Sequence, residues 1–256
     1  MLVEVGDEMP IICDLGTGLR YLGWDLMARR EQAGTDEPFR ATALVSHLHW
    51  DHIQGIPFFR PLLSEGAVID MYGPSQPGSS LKVEFCDHIR PPVFPVPLGA
   101  LPGTVNYHDV HNDVVSIGSA TVTSFSVPHV GPTNGYRIDA DGGSVAFICD
   151  HQQPIDGSLE VPPHIVEACA GVDVLIHDAQ FSAHEFALNP DWGHCTPDFA
   201  LEVAYRSEVK RLALFHHDPA HDDQWIRDEV CRIQALAGSD IEIIGAAEGL
   251  TLHSGS

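Results

Sequence analysis

The residues with the clearest chemical potential lie in one short segment, Ser46-His47-Leu48-His49-Trp50-Asp51-His52. It places three imidazoles and a carboxylate close together, directly after the apolar run Ala41–Val45. His47 and His49 are two residues apart, so their side chains project to the same side of an extended chain. Asp51 and His52 follow and can point toward a second centre. Because neutral imidazoles and carboxylates bind zinc, iron or manganese, the segment predicts a metal site.

A purely structural alternative accounts for part of this motif. Asp51 can be the N-cap of a helix, with Gln54 completing a D-x-x-Q capping pattern. That alternative explains one residue and leaves the clustered histidines without a role.

Further candidate ligands follow later strand-like runs. The relevant dipeptides are Pro128-His129, Cys149-Asp150 and His216-His217. Each is weak evidence alone, because polar residues commonly follow strands in turns. Their repeated position at strand ends strengthens the prediction of a shared site.

Short β-rich runs alternate with segments of helical character along the chain. The predicted strands are Leu2–Val5, Ile11–Leu15, Ala41–Ser46, Val68–Tyr72, Ala120–Ser126, Ser144–Cys149, Val172–His177, Leu212–Phe215 and Glu242–Ile244. The predicted helices are Gly18–Arg30, His52–Ser64, Pro197–Ser207 and Asp222–Ala237. This alternation indicates a layered α/β architecture, which we interpret as one domain over residues 1–256.

The amino-acid composition limits the classes of function that the protein can have. Of 256 residues, 44% are hydrophobic, which is typical of a globular protein and excludes a disordered chain. The net charge of −23 argues against binding to nucleic acid or anionic lipid, whereas 16 histidines favour a metalloprotein. The absence of a signal peptide or a membrane-spanning run, with six scattered cysteines, predicts a cytoplasmic protein.

The segment Arg90–Leu98 is too rich in proline for a helix or a central strand. Two interpretations remain open. It is either a surface connection, or a semi-rigid loop or lid whose Phe94 faces a functional site.

The histidine motif resembles the signature of the metallo-β-lactamase superfamily, and the chain is similar to that family over nearly its whole length. The resemblance implies an αββα four-layer sandwich with metal ligands at strand ends along one edge. It implies two divalent metal ions, with zinc favoured and manganese or iron as alternatives. By this resemblance, one ion is bound by His47, His49 and His129, the other by Asp51, His52 and His216, and both by Asp150. His216 is preferred to His217 because it directly follows the strand.

The segment Asp14-Leu15-Gly16-Thr17-Gly18 resembles a D-x-G-T-G turn of the same family. In that family the aspartate supports the metal ligands without binding the metal itself, and the glycines permit a tight approach of the backbone. A plain strand-to-helix turn explains the glycines nearly as well. Only about ten residues precede the turn, so we expect a shortened or rearranged first hairpin.

Three other segments resemble RNase Z and the phosphoribosyl cyclic phosphate phosphodiesterase, namely Ile53–Phe59, Leu175–Phe181 and Gly193–Thr196. This likeness implies that His194 transfers a proton and contacts phosphate, assisted by Asp178. Cys195 stands where those relatives usually have serine. His194 also precedes a good helix start, with Thr196 as the cap and Pro197 in the first turn.

The resemblance therefore predicts a dinuclear metal-dependent hydrolase that cleaves a small phosphodiester, such as a cyclic nucleotide or cyclic sugar phosphate, through a metal-bridging hydroxide. A transfer-RNA substrate is disfavoured, because the chain has 13 lysines and arginines and no long basic arm. A lactone or thioester hydrolase and a non-hydrolytic metal-binding protein remain the alternatives. The resemblance also suggests a homodimer.

Overall fold

The structure is a computed structural model that describes residues 1–254. Two compact units can be distinguished in it: a first unit, Met1–His111, and a second unit that begins at Asn112. Each unit contains its own β-sheet with associated helices. The interpretation of residues 1–256 as one domain stays a prediction.

The first unit is built on a five-stranded sheet in the order β1-β2-β3-β4-β5. Its strands are β1 (Leu2–Val3), β2 (Ile11–Cys13), β3 (Arg40–Leu44), β4 (Val68–Gly73) and β5 (Thr104–Asp109). β1 pairs antiparallel with β2, and the other neighbours are parallel. The helices are α1 (Leu19–Ala33), α2 (Trp50–Ile53) and α3 (Leu81–His88).

Burial of apolar side chains against this sheet explains why the first unit folds. Leu26 of α1 and Phe85 of α3 are buried in one core with Ile69 of β4 and Phe59. Helix α1 ends at Gly34, whose positive φ of 65° lets its N–H bond the carbonyl oxygens of the last turn.

The second unit is built on a seven-stranded sheet in the order β12-β11-β10-β9-β8-β7-β6. Its strands are β6 (Val114–Ile117), β7 (Ala120–Ser126), β8 (Asn134–Ala140), β9 (Gly143–Ile148), β10 (Val174–Asp178), β11 (Arg211–Phe215) and β12 (Glu242–Gly245). Pairing is antiparallel from β6 to β9 and parallel from β9 to β12. The helices are α4 (Pro163–Cys169), α5 (Ala183–Leu188), α6 (Pro197–Arg206) and α7 (Asp223–Ala237), and residues of α4, α6 and α7 share the buried core of this unit.

The predicted helix His52–Ser64 is wrong. The chain forms the short helix α2 and then two 3₁₀ turns, Ile56–Phe58 and Arg60–Leu63. Pro57 and Pro61 explain the difference, since each lacks the N–H that a continuous α-helix requires and tolerates only a first-turn position. The predicted strands are each found, with small shifts at their ends, whereas β5, β6 and β8 were not predicted.

The proline-rich segment forms turns and bends between Arg90 and Pro97. Phe94 packs, partly buried, against the core of the first unit, and its ring centroid lies 6.2 Å from that of Phe58. The segment is therefore attached to the first unit through Phe94. The lid interpretation stays a prediction.

Two further observations concern the described residues 1–254. None of their helices combines the length and the apolar character needed to cross a membrane. All six cysteines lie within this range as free thiols.

Candidate metal and acid–base site

In the first unit, the polar cluster lies at the carboxyl ends of two adjacent parallel strands. Asp14 directly follows β2, and Ser46 and His47 come shortly after β3. Parallel pairing of β2 with β3 brings these ends together, the usual place for a binding site in such sheets.

The Asp14 carboxylate organises this cluster. Its oxygens accept hydrogen bonds from the Ser46 N–H at 2.7 Å, the Ser46 hydroxyl at 2.8 Å and His52 Nδ1 at 2.9 Å. Since the Ser46 hydroxyl donates to Asp14, its oxygen accepts from His47 Nδ1 at 3.0 Å. With Nδ1 used in this way, Nε2 is the metal-ligating nitrogen that His47 and His52 would present.

The glycines of the Asp14 turn permit a close backbone contact with the histidine motif. A Cβ at Gly16 would lie 2.5 Å from the Asp51 carbonyl oxygen, and one at Gly55 would lie 2.0 Å from the Gly16 carbonyl oxygen. The Gly55 N–H donates to the Leu15 carbonyl at 2.7 Å. Any larger side chain at either glycine would therefore displace the turn from the motif.

The motif gathers its imidazoles tightly. The His47 ring centroid lies 4.3 Å from that of His49 and 4.2 Å from that of His52. Asp51 reaches His52 Nε2 at 3.1 Å, although its side chain is 58% exposed. The N-cap alternative for Asp51 is wrong, because α2 begins after His49 and has no side-chain cap.

In the second unit, the candidate residues follow strands that run in the same direction. Strands β7, β9, β10 and β11 end at one edge of the sheet, as their pairing pattern requires. His129, Asp150 and His216 come just after β7, β9 and β11, and Asp178 is the last residue of β10.

Asp150 lies between two histidines. Its Oδ2 is 3.6 Å from His129 Nε2, its Oδ1 is 3.6 Å from His216 Nε2, and the carboxylate is buried. These distances are too long for hydrogen bonds. Ligands of one tetrahedral zinc ion lie roughly 3.3 Å apart, so the donor atoms around Asp150 and their spacing fit the binding of a divalent metal.

Each of these histidines is oriented through its other nitrogen. His129 Nδ1 donates to the Gly193 carbonyl at 2.7 Å, and His216 Nδ1 donates to Gln180 Oε1 at 2.8 Å. Gly193 has a φ of 97°, and a Cβ there would lie 2.3 Å from the His129 ring. The Nε2 atoms consequently face Asp150.

His194 is paired with a buried carboxylate. Its Nδ1 lies 3.1 Å from Asp178 Oδ2 and 3.8 Å from Asp150 Oδ2. Asp178 is completely buried and also accepts the backbone N–H groups of His151 at 3.0 Å and Gln180 at 2.9 Å. Such a pair can orient an imidazole for proton transfer.

The helix start after His194 is confirmed as well. Thr196 caps α6 by accepting the Phe199 N–H at 3.2 Å, with Pro197 in the first turn. The cap and the His194–Asp178 pair coexist, because they use different residues of the same turn.

The structure groups the predicted residues unit by unit. The first unit brings together His47, His49, Asp51 and His52, and the second brings together His129, Asp150, Asp178, His194 and His216. Of the adjacent pair His216 and His217, His216 places its Nε2 3.6 Å from Asp150 Oδ1. Burial lowers the pKa of His217 below the ordinary histidine value.

Sequence reasoning missed four residues of these clusters. Ser46 supports His47, Gln180 supports His216, and the Gly193 carbonyl supports His129. Cys149 places its sulfur within 4.8 Å of ligand atoms of Asp150 and His216. Only Ser46 had a signal for this role, namely its place directly before the histidine motif.

A model of one protein family matches most of the chain. A family model described as the β-lactamase superfamily domain matches residues 11–217. The chain belongs to this family. The predicted resemblance is thereby confirmed.

Two relatives illustrate the sequence similarity of this superfamily member. The uncharacterized protein Rv1339 of Mycobacterium tuberculosis is 27% identical over 229 residues, which cover 85% of this chain and 73% of that protein. A ribonuclease Z of Anoxybacillus flavithermus is 34% identical over 119 residues, covering 46% of this chain and 33% of the enzyme.

Solved structures confirm the predicted α/β metallo-β-lactamase fold. A diphosphatase of the PhnP family has a TM-score of 0.67 at 20% identity, over 98% of this chain and 82% of that one. Zn²⁺-bound PqqB from Methylobacterium extorquens has a TM-score of 0.65 at 18% identity, over 98% and 86% of the two chains.

Proposed function

We propose that this superfamily member is a dinuclear metal-dependent phosphodiesterase that acts on a small phosphodiester. The proposed ligands are His47, His49, Asp51, His52, His129, Asp150 and His216. Zinc is the proposed ion, in keeping with the donor set and with Zn²⁺-bound PqqB. Bound divalent ions would supply Lewis-acid chemistry and activate water for attack on phosphorus.

The observation that carries the proposal is the His194–Asp178 pair beside Asp150. Because Asp178 Oδ2 accepts the proton on His194 Nδ1, the exchangeable site of the imidazole is Nε2, on the opposite side of the ring. A protonated His194 can give this proton to the departing alkoxide of a phosphodiester. The ring is held by stacking on His216, with centroids 5.1 Å apart, and by edge contact with Phe181 at 5.5 Å.

Asp178 contributes to this role because its carboxylate is held in a fixed position. Its two oxygens accept three hydrogen bonds, which hold the carboxylate in the orientation that His194 needs. The fixed carboxylate therefore holds the His194 ring with Nδ1 toward Asp178 and leaves Nε2 for proton transfer.

The net charge of the chain is the reason for proposing a small substrate. A net charge of −23 repels a polyanion over its whole length, whereas a single phosphodiester meets only the local charge of the site. Similarity to ribonuclease Z and to a PhnP-family diphosphatase supports hydrolysis at phosphorus in general.

The test is a rate comparison with the zinc-loaded chain on bis-p-nitrophenyl phosphate, cyclic phosphodiesters, an acyl lactone and a thioester. We expect the phosphodiesters to be cleaved fastest, and His194→Ala to lower that rate about 100-fold or more with zinc content unchanged. His184→Ala, which changes an exposed histidine of α5, is the matched control and keeps the full rate.

Three outcomes would contradict this assignment. Faster turnover of the lactone or thioester would favour a carboxyl-type hydrolase. Full activity of His194→Ala with its zinc bound would remove His194 from the chemistry, and an absence of turnover on the whole panel would favour a non-hydrolytic protein.

A further inference from the structure

Two buried histidines lie directly behind Asp178 and belong to neither the proposed ligand set nor the proton-transfer pair. His151 follows Asp150, and His177 precedes Asp178 at the end of β10. Both are completely buried in the second unit. A buried polar side chain is costly unless hydrogen bonds compensate it, so this pair needs a physical explanation.

The hydrogen bonds of this pair run in one direction. His177 Nδ1 lies 2.7 Å from the Asp178 carbonyl oxygen, which can only accept, so Nδ1 carries the proton. A neutral His177 then accepts at Nε2, and His151 Nδ1, 2.9 Å away, must donate to it. The His151 backbone N–H donates in turn to Asp178 Oδ2 at 3.0 Å.

Burial keeps the His177 imidazole neutral. Removal from water lowers the pKa of His177 below the ordinary histidine value. It also raises the pKa of the Cys195 thiol, which therefore retains its proton and donates to the Asp178 carbonyl at 3.0 Å. The protonation states agree with the single direction of the hydrogen bonds.

Asp178 is consequently held at two points by the same group of residues. Its peptide carbonyl is bound by His177 and Cys195, and its carboxylate is bound by the peptide of His151. The Phe199 ring closes the pair from one side, with centroid distances of 5.0 Å to His151 and 6.3 Å to His177. Movement of either histidine would shift the carboxylate that orients His194.

We propose that His151 and His177 are positioning residues that fix Asp178 and thereby hold His194 with its proton on Nδ1. The effect on catalysis rests on the proposed function, but the position of the His194 proton does not. An enzyme without phosphodiesterase activity would still show it.

The variants separate hydrogen bonding from packing. His177→Phe removes both side-chain bonds, and His151→Leu removes the donor to His177. His177→Asn places an amide near the former Nδ1 and can still donate to the Asp178 carbonyl. Phe199→Leu is the matched control, because it alters the packing around both histidines and leaves their hydrogen bonds in place.

The first measurement is nuclear magnetic resonance of the zinc-loaded full chain labelled with nitrogen-15 at histidine. Long-range nitrogen–proton correlations report which ring nitrogen of His194 carries the proton. We expect the Nδ1–H form in the wild type, in Phe199→Leu and largely in His177→Asn. A mixture of tautomers is expected in His177→Phe and His151→Leu.

The second measurement is steady-state kinetics on bis-p-nitrophenyl phosphate. Loss of a supporting hydrogen bond behind a reacting group typically costs about 10- to 100-fold in activity. We expect His177→Phe and His151→Leu to lower kcat about tenfold with KM within about twofold, and His177→Asn to recover most of that loss.

The outcomes distinguish the two proposals. If the wild type cleaves no phosphodiester, the proposed function fails and the tautomer measurement still decides the role of the two histidines. An unchanged His194 tautomer in His177→Phe and His151→Leu would overturn the positioning role, as would an equal loss in Phe199→Leu. If His177→Phe does not fold, the comparison of His151→Leu with Phe199→Leu gives the same decision.

Discussion

The first and second units bring their clustered histidines and carboxylates together in different ways. The first unit takes its imidazoles from one short segment, His47 to His52, supported by Asp14 from the adjacent strand end. The second unit collects its polar residues from four strand ends between His129 and His216. Both use a carboxylate to hold a histidine at Nδ1: Asp14 holds His52 at 2.9 Å, and Asp178 holds His194 at 3.1 Å.

Local sequence and sheet topology are two alternative means of bringing candidate ligands together. A contiguous motif needs only a turn to bring its side chains together. A dispersed set needs parallel strands in register, such as His177 of β10 beside both Ile148 of β9 and Leu214 of β11. The dispersed cluster therefore depends on the packing of its whole sheet.

The largest expected effect comes from the buried carboxylate of the dispersed cluster. Asp150→Ala removes the group that lies between His129 and His216, and we expect hydrolysis to fall about 1000-fold, or about 4 kcal/mol of transition-state stabilisation. Zinc content and initial rates on bis-p-nitrophenyl phosphate measure it. Asp156→Ala, at an exposed position of the same unit, is the control. Equal rates in the two variants would exclude Asp150 from the centre.

A smaller effect is expected when the residues that support the histidines are replaced, and its size should differ between the two units. Asp14 accepts three hydrogen bonds in the first unit, whereas Gln180 holds His216 through a single one in the second. We expect Asp14→Ala to weaken zinc binding about 100-fold and Gln180→Leu about tenfold. Competition with a chelating dye measures both. A larger loss in Gln180→Leu would reverse the order of support that the hydrogen bonds imply.

The smallest effect concerns acid stability of the second unit. The pKa of His177 is lowered by burial, so the folded chain binds its proton less readily than the unfolded chain does. Its contribution to stability is present above the unfolded pKa of about 6.5 and is lost as pH falls below that value. The free energy of unfolding is therefore expected to fall for this group as the pH drops below about 6.5.

Chemical denaturation of the metal-free chain at several pH values checks this prediction. His177→Asn removes the titrating group, so we expect its unfolding free energy to fall less steeply with acid than that of the wild type. Identical pH slopes would show that His177 does not stay neutral in the folded state.

Several elements could be predicted because their signals are local. A short stretch of sequence is enough to indicate the strands of buried apolar residues. The same is true of the helices α6 and α7 and of the histidine motif. Thr196-Pro197 likewise marks the start of α6 by its own chemistry.

The elements that could not be predicted depend on distant contacts. Strand β8 contains Gly135, Arg137 and Asp139, and it becomes a strand through pairing on both sides with β7 and β9. Local propensity also misjudged the segment His52–Ser64, where the prolines divide one predicted helix into shorter turns.

The supporting contacts of the site were hidden for the same reason. Gln180 bonds His216 across 36 positions, and His151 bonds His177 across 26. No spacing rule connects residues that far apart. Only the pairing of β9, β10 and β11 brings them together.

The most direct test of the central claim is the zinc content of the purified chain after loading and removal of unbound metal. We predict two ions per chain in the wild type, and a loss of zinc in Asp150→Ala that does not occur in Asp156→Ala. A wild-type chain that retains one zinc ion or fewer, or an Asp150→Ala chain that keeps the full wild-type content, would contradict the assignment of these clusters as a dinuclear metal centre.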